Sequence, residues 1–574
     1  MRRAQAVALG AGTADLVVEN GRVLLTDLGE FRERDVAVVG DRVAAVPEDA
    51  TPVVGDDTTV VDADGRAVVP GFVDAHTHAD VFQTVETAYS SLLEGGTTTV
   101  VTEASAVGGA FGADGVRELL DAAADLPLAV RPTVPPHAFF DTFGEPADEA
   151  TRADLLELLD DDRVVGVGES DWVHVVGRES PADELYDRAH ERGKRVVGHG
   201  AGCADEKLTA FATVVDNDHE AIAGEEVTDR LERGIHPVGR SGSVRDDSEA
   251  IADAARRHDA ALSLSTDGVW PGALADGEAM DGAVRRVVDH GIDPAEAIRM
   301  ATLAPARHFG LDDRGSIAPG NVADIVVLDE AESVAVDTVV AGGGVVVRDG
   351  SATVEPREHD YPDAFYDSVA VDPVPETFRV PASAARDGAV RALHYRHGLI
   401  TTATTVRPGT DGDSLTAAPD DDVAKAALLD RRPDEDAAFT GFITGLGLDE
   451  GAAATSLTWE APGVAVVGVD DDAMARAARH VAAMGGGWAV ARNGDVVADL
   501  PLRVAGVASD RPVPETADRF DAVNAGLRDI GFDIERPPLA VQTLTFLGVP
   551  SLKLTANGYA DVFDRELVGL TPDE

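Results

Sequence analysis

The stretch Pro70-Gly71-Phe72-Val73-Asp74-Ala75-His76-Thr77-His78 stands where the chain changes texture. Before it, from Leu16 to about Pro70, short alternating apolar runs are separated by turn-forming pairs such as Asn20-Gly21 and Gly40-Asp41. That is the pattern of short β-strands. After it, up to about Gly310, apolar strands such as TTTVVTEA, VVGVGES, RVVGHGAG and ALSLSTDG alternate with helical stretches rich in Ala, Leu, Glu, Asp and Arg. This alternation predicts a β/α barrel, which places its chemistry at the C-terminal ends of its strands. Short β signals return at Gly315–Gly350, and residues 351–380 read as a Pro- and acid-rich linker. The expected fold is therefore α/β: a (β/α)8 TIM-like barrel over 70–312, flanked by a β-sandwich assembled from 1–69 and 313–355, with a C-terminal α+β domain over 380–574.

Residues two apart in a strand share a face, so His76 and His78 can present two imidazoles to one cation. Isolated pairs of this kind are common on surfaces, but here the pair closes an apolar strand, and ligand-type residues close later ones. Glu169 ends Val164-Val165-Gly166-Val167-Gly168, His199 ends Arg195-Val196-Val197-Gly198, His219 lies between Asp218 and Glu220, and Asp267 follows Leu262–Thr266. Two-metal hydrolases need an anion between their cations, and since no lysine closes a barrel strand, Glu169 is the candidate bridge. The set His76, His78, Glu169, His199, His219 and Asp267 offers nitrogen and oxygen donors suited to Zn²⁺, Mn²⁺ or Fe²⁺. Such a centre activates water, with Asp267 serving as both ligand and proton carrier. Metal-assisted hydrolysis is the expected chemistry.

The 574 residues carry 104 acidic against 48 basic side chains, a net charge of −56. Only four of the basic residues are lysines, Lys194, Lys207, Lys425 and Lys553. A hydrophobic fraction of 44% is ordinary for a globular chain, so the acidity belongs to its surface. Acid excess with few lysines resembles the composition of extreme halophiles. A chain this negative repels phosphate backbones and anionic membranes, so neither nucleic acid nor membrane is an expected partner. Cys203 stands alone, which excludes intrachain disulfides and a Cys-based zinc site. The expected setting is the cytoplasm.

With these residues in hand, the chain resembles the amidohydrolase superfamily and, within it, the adenine deaminases. PGFVDAHTH, the GGTTTVV at Gly95–Val101, and Gly315–Gly320 followed by Ala323-Asp324-Ile325 are similar to superfamily signatures. VGVGE, GHGAG, Asp216–Glu226 and Gly239–Ser243 are more particular to the deaminases, as are Arg396-His397-Gly398, Gly441-Phe442, Gly445–Leu448, Gly485–Gly487 and Pro550–Thr555. The resemblance covers nearly the whole chain. It implies conversion of adenine to hypoxanthine and ammonia by a binuclear divalent centre, manganese before iron or zinc, with a small heterocycle as substrate and a homo-oligomeric assembly.

The chain departs from that pattern around the substrate rather than at the six ligand positions. Ala79-Asp80-Val81 stands where the family has a Glu-Ser-Ser-like run, and a family His-Glu pair is missing from Thr102-Glu103-Ala104-Ser105. Gly268 replaces a second aspartate, and Trp459-Glu460-Ala461-Pro462-Gly463 replaces a His-Asp-Ser-His-Asn motif. Arg240 is kept from an Arg-Glu-Gly-Ser element and is expected to contact substrate; Glu220 is expected to serve a ring nitrogen. Two rival readings stay open at this point. One is an amidohydrolase acting on another amino-heterocycle or a cyclic amide, and the other is a non-catalytic paralogue that binds a purine or a partner.

Overall fold

Eight parallel strands form the centre of the computed structural model: β1 (Phe72–Thr77), β2 (Thr97–Thr102), β3 (Ala129–Val134), β4 (Gly166–Asp171), β5 (Arg195–His199), β6 (Asn217–Asp218), β7 (His236–Arg240) and β8 (Ser263–Ser265). The model describes residues 2–572 apart from 141–145, 178–179, 433–436, 460–462 and 550. The strands hydrogen-bond in chain order from β1 to β8. β2, TTTVVT, is buried along its whole length, as a strand must be when helices cover one side and the barrel interior the other.

The barrel closes between its first and last strands mainly through side chains. Asp74 accepts from the Thr266 amide at 3.0 Å and from its hydroxyl at 2.5 Å, while Asp267 N donates to His76 O at 3.0 Å. This seam puts Asp267 beside His76. Asp267 itself adopts φ 52°, a left-handed conformation that aspartate and asparagine tolerate better than most residues.

The two β-rich flanks meet in one nine-stranded sheet. Ala67–Pro70 pairs antiparallel with Ile325–Leu328, and both strands are fully buried. The stretch 351–380, expected to be a linker, is instead laid against the barrel. The Phe365 ring stacks on Phe111 at 4.1 Å, Tyr361 donates to Glu86 at 3.0 Å, and Tyr89 donates to the Glu355 carbonyl at 2.6 Å. Its aromatic residues bury apolar area that its prolines and acids do not advertise.

The C-terminal region is built on an eight-stranded sheet with helices on both faces. In its strand Gly487–Arg492, Ala489 and Ala491 join the cluster of the helix Asp471–Ala483, and Trp488 and Val490 join that of the helix Val513–Asp529. The region is tied to the barrel where Phe82–Gln83 pairs with Ala508–Ser509 and where Arg536 donates to the Ser243 carbonyl at 3.0 Å.

At the opposite end of the barrel, His236 and His308 stack at 4.3 Å. Asn217 Nδ2 meets His308 Nε2 at 2.8 Å, and His236 Nε2 meets Ser263 Oγ at 2.7 Å. Burial and the Arg195 guanidinium push His236 down to about 4, and burial with the neighbouring His236 pushes His308 lower still. Both groups protonate in the unfolded chain near pH 6.5 but not in the folded one. Their contribution is full above that pH and is lost as pH falls toward 4. Unfolding free energies from denaturant titrations at fixed salt should fall between pH 7 and pH 5 by roughly 1–2 kcal/mol per histidine, and His308→Gln should flatten that slope.

Candidate active site

All six expected ligand residues converge at the C-terminal ends of the strands, each buried. Two groups have ligand atoms mutually within 4.8 Å: His76, His78, Glu169 and Asp267, and Glu169, His199 and His219. Glu169 belongs to both. Its Oε1 lies 3.6 Å from His76 Nε2, 3.1 Å from His219 Nε2 and 3.2 Å from His199 Nδ1. Asp267 Oδ1 lies 3.3 Å from His76 Nε2 and 3.5 Å from His78 Nε2.

The electrostatics of this cluster are those of a cation site. Burial alone would push His76 and His78 down, yet Asp267, Glu169 and, for His76, Glu103 hold both above the usual histidine range. Burial would likewise raise Glu169 and Asp267, but the surrounding imidazoles hold both carboxylates low. His76 Nε2, His78 Nε2, His199 Nε2 and both His219 ring nitrogens are nevertheless buried without a hydrogen-bond partner among the described residues. Orphaned imidazole nitrogens around a shared carboxylate fit divalent cations well, and an all-nitrogen-and-oxygen donor set is the one such cations prefer.

Glu103 was passed over as part of a missing motif. Its Oε1 lies 3.1 Å from His76 Nδ1, while its Oε2 accepts from the Glu169 amide at 2.6 Å and from Thr133 Oγ1 at 3.2 Å. A Cβ at Gly168 would collide with this carboxylate, so the glycine clears its path. One buried acid thus stands beside the ring of His76 and holds the backbone of Glu169. Outer carboxylates of this kind typically govern metal affinity 10–100-fold. Glu103→Gln should weaken metal binding by about that factor, read by competition with a chromophoric chelator.

Arg240 stands among three carboxylates. Its guanidinium is buried against Glu220, Asp247 at 3.0 Å and Asp267 at 3.5 Å. Burial would raise Glu220, but Arg240 holds its carboxyl below the usual range. Glu220 Oε1 stands 3.7 Å from His219 Nε2 and 3.8 Å from His199 Nδ1, so it borders the cluster. Asp218 turns elsewhere, accepting from Arg230 Nε at 2.7 Å and from the Gly200 amide at 2.9 Å.

The C-terminal region roofs the barrel mouth. The Trp459 ring lies 5.2 Å from His78, and Phe546 lies 5.3 Å from His199 and 5.6 Å from Trp459. Gln542 Oε1 accepts from Trp459 Nε1 at 3.3 Å, leaving its Nε2 buried without a partner. Of the altered motif, Glu460, Ala461 and Pro462 lie outside the described residues, as does Pro550. Below the roof, at the end of β4, Asp171 Oδ1 is buried without a hydrogen-bond partner among the described residues. Burial, reinforced by the charges of Glu169 and Glu220, pushes this carboxyl up to about 7 despite the neighbouring His199.

Residues 67–346 match the amidohydrolase family, and residues 398–566 match the adenine deaminase C-terminal domain. Relatives that bear the name adenine deaminase span the entire arrangement. That of Methanothrix thermoacetophila is 30% identical over 565 residues, covering 97% of both chains. That of Nitratidesulfovibrio vulgaris strain DP4 is 33% identical, covering 97% of this chain and 96% of the relative. A third, from Cereibacter sphaeroides, is 33% identical over 97% of this chain and 98% of its own. The matches extend over the barrel and the roofing domain together, and the chain belongs to the adenine deaminase family of amidohydrolases.

Proposed function

We propose that this protein hydrolyses adenine to hypoxanthine and ammonia. The reading is carried by the ligand cluster in which Glu169 is common to two groups, under a roof whose sequence matches the adenine deaminase C-terminal domain. His76, His78, Glu169, His199, His219 and Asp267 are the proposed ligands of a divalent cation pair. When bound, such a pair polarises water toward attack on an electrophilic carbon.

The side chains then have defined tasks. Asp267 takes a proton from the water whose oxygen adds to C6, and it passes that proton to the departing amine as the C6–N bond breaks. Glu220 lends a proton to the adjacent ring nitrogen as the oxygen adds, and takes one back from the C6 hydroxyl on collapse, so the product keeps one ring N–H. Arg240 favours the charged form of Glu220, which makes the donation to the ring nitrogen the downhill half of the exchange and the return of the proton to Glu220 the uphill half. Its proposed part is to hold Glu220 and Asp267 in place rather than to touch the base.

The proposed setting is purine salvage in a cytoplasm of high ionic strength, as a homo-oligomer, with manganese preferred over iron or zinc. The acid excess of the sequence supports the salt requirement. Protein reconstituted with Mn²⁺ in molar KCl should consume adenine and release one ammonia per hypoxanthine formed. Ring opening of a hydantoin-like compound without ammonia release would refute the assignment.

A further inference from the structure

We propose that Asp171 reads the N–H of the five-membered ring of the purine, so that the pocket takes the free base and rejects purines substituted at that nitrogen. The inference rests on the adenine deaminase reading and deepens it. Asp171 ends the same strand as Glu169, past a register shift against β5, where it stands opposite His199, and Ser170 between them donates to the Gly168 carbonyl at 2.9 Å. Gly548 of the roof comes so close that a Cβ there would collide with Asp171 Oδ1. The Phe546 ring also lies against that Cβ position, and it packs on His199 at 5.3 Å and on Trp459 at 5.6 Å.

Asp171 is thus a buried acceptor, only 8% exposed, whose Oδ1 no described residue satisfies, at the join between barrel and roof. A buried carboxylate without a donor is costly, and the cost is removed when an occupant supplies the donor. Adenine carries N–H donors at two places. One is the amine on C6, which must lie at Asp267 and Glu169 to react and which then departs. The donor left for a carboxylate elsewhere on the wall is the five-membered-ring N–H, and it is absent from nucleosides and 9-alkyl purines. A site built around a substrate N–H rejects analogues lacking it far more strongly than shape alone allows.

The test compares the metal-loaded full chain with Asp171→Leu, which removes the acceptor at similar volume, and Asp171→Asn, which keeps an acceptor oxygen. Turnover is measured on adenine and 9-methyladenine, and binding, by calorimetry, on hypoxanthine and 9-methylhypoxanthine. The leucine variant should lose about 100-fold in kcat/KM on adenine, chiefly through KM, and a similar factor in hypoxanthine affinity. Both 9-methyl compounds should change by less than about threefold, and the asparagine variant should fall between. Equal losses on both members of each pair, or no loss, would overturn the role of Asp171 while leaving the deaminase reading intact. A wild-type protein that leaves adenine unchanged sinks both. If the leucine variant fails to fold, the asparagine variant carries the same comparison.

Discussion

Glu169→Gln is expected to strip the protein of metal and of activity together. The substitution keeps the side chain's size and leaves the Glu169 amide on Glu103, so the strand should hold. What it removes is the charge common to both ligand groups. Bound Mn²⁺ should fall from about two equivalents to one or fewer, and adenine turnover by on the order of 10⁴-fold. Metal analysis of the purified variant beside its melting curve separates the two explanations. A folded variant that keeps its full metal complement would show that the anion holding the cations lies elsewhere.

Asp267→Asn should produce a loss of comparable size by a different route. Asp267 holds a left-handed backbone conformation, donates its amide to His76 O and places Oδ1 between His76 and His78. Asparagine tolerates that backbone and keeps one acceptor oxygen, but it cannot accept a proton from water. Proton transfer of this kind is worth about 10²–10⁴-fold. The expected result is a drop of that order in kcat with KM little changed and at least one cation retained. Asp267→Ala should do worse on stability as well, because alanine in a left-handed conformation costs roughly 1–2 kcal/mol. An asparagine variant with near wild-type kcat would remove Asp267 from the proton path.

The residues that were legible in the sequence are those whose signal is local. The period of a strand puts His76 beside His78, and an apolar run ending in a lone polar residue marks Glu169, His199 and Asp267. Glu103 also follows an apolar strand, TTTVVT, and the same rule would have found it. What the sequence does not show is its partner, since Glu169 lies 66 positions further on. Asp171 closes the same strand as Glu169, but a register shift beside Glu169 breaks the period that would say where it faces. Arg240 was recognised, but its direction was not, since nothing near it in sequence announces that Glu220, Asp247 and Asp267 will surround it.

The roof was the hardest part to foresee. Trp459, Gln542 and Phe546 reach the site from a region with its own sheet and helices, and no local pattern says which of its surfaces will meet the barrel. The strap at 351–380 hid for a related reason. Proline and acid content argue for exposure, whereas three aromatic anchors, Tyr361, Phe365 and Tyr366, decide otherwise.

The order in which the chain leaves the ribosome gives the flanking sheet a timetable. Ala67–Pro70, wholly buried in the finished fold, finds its partner Ile325–Leu328 only after the entire barrel has been made. At roughly 5–20 residues per second that is a wait of about ten seconds to a minute, during which an apolar strand edge stands open. The barrel seam keeps a similar schedule, because Asp74 and Thr266 lie 192 positions apart. Until that seam shuts, His76 and Asp267 stay apart, so the cluster they belong to is among the last parts of the barrel to assemble.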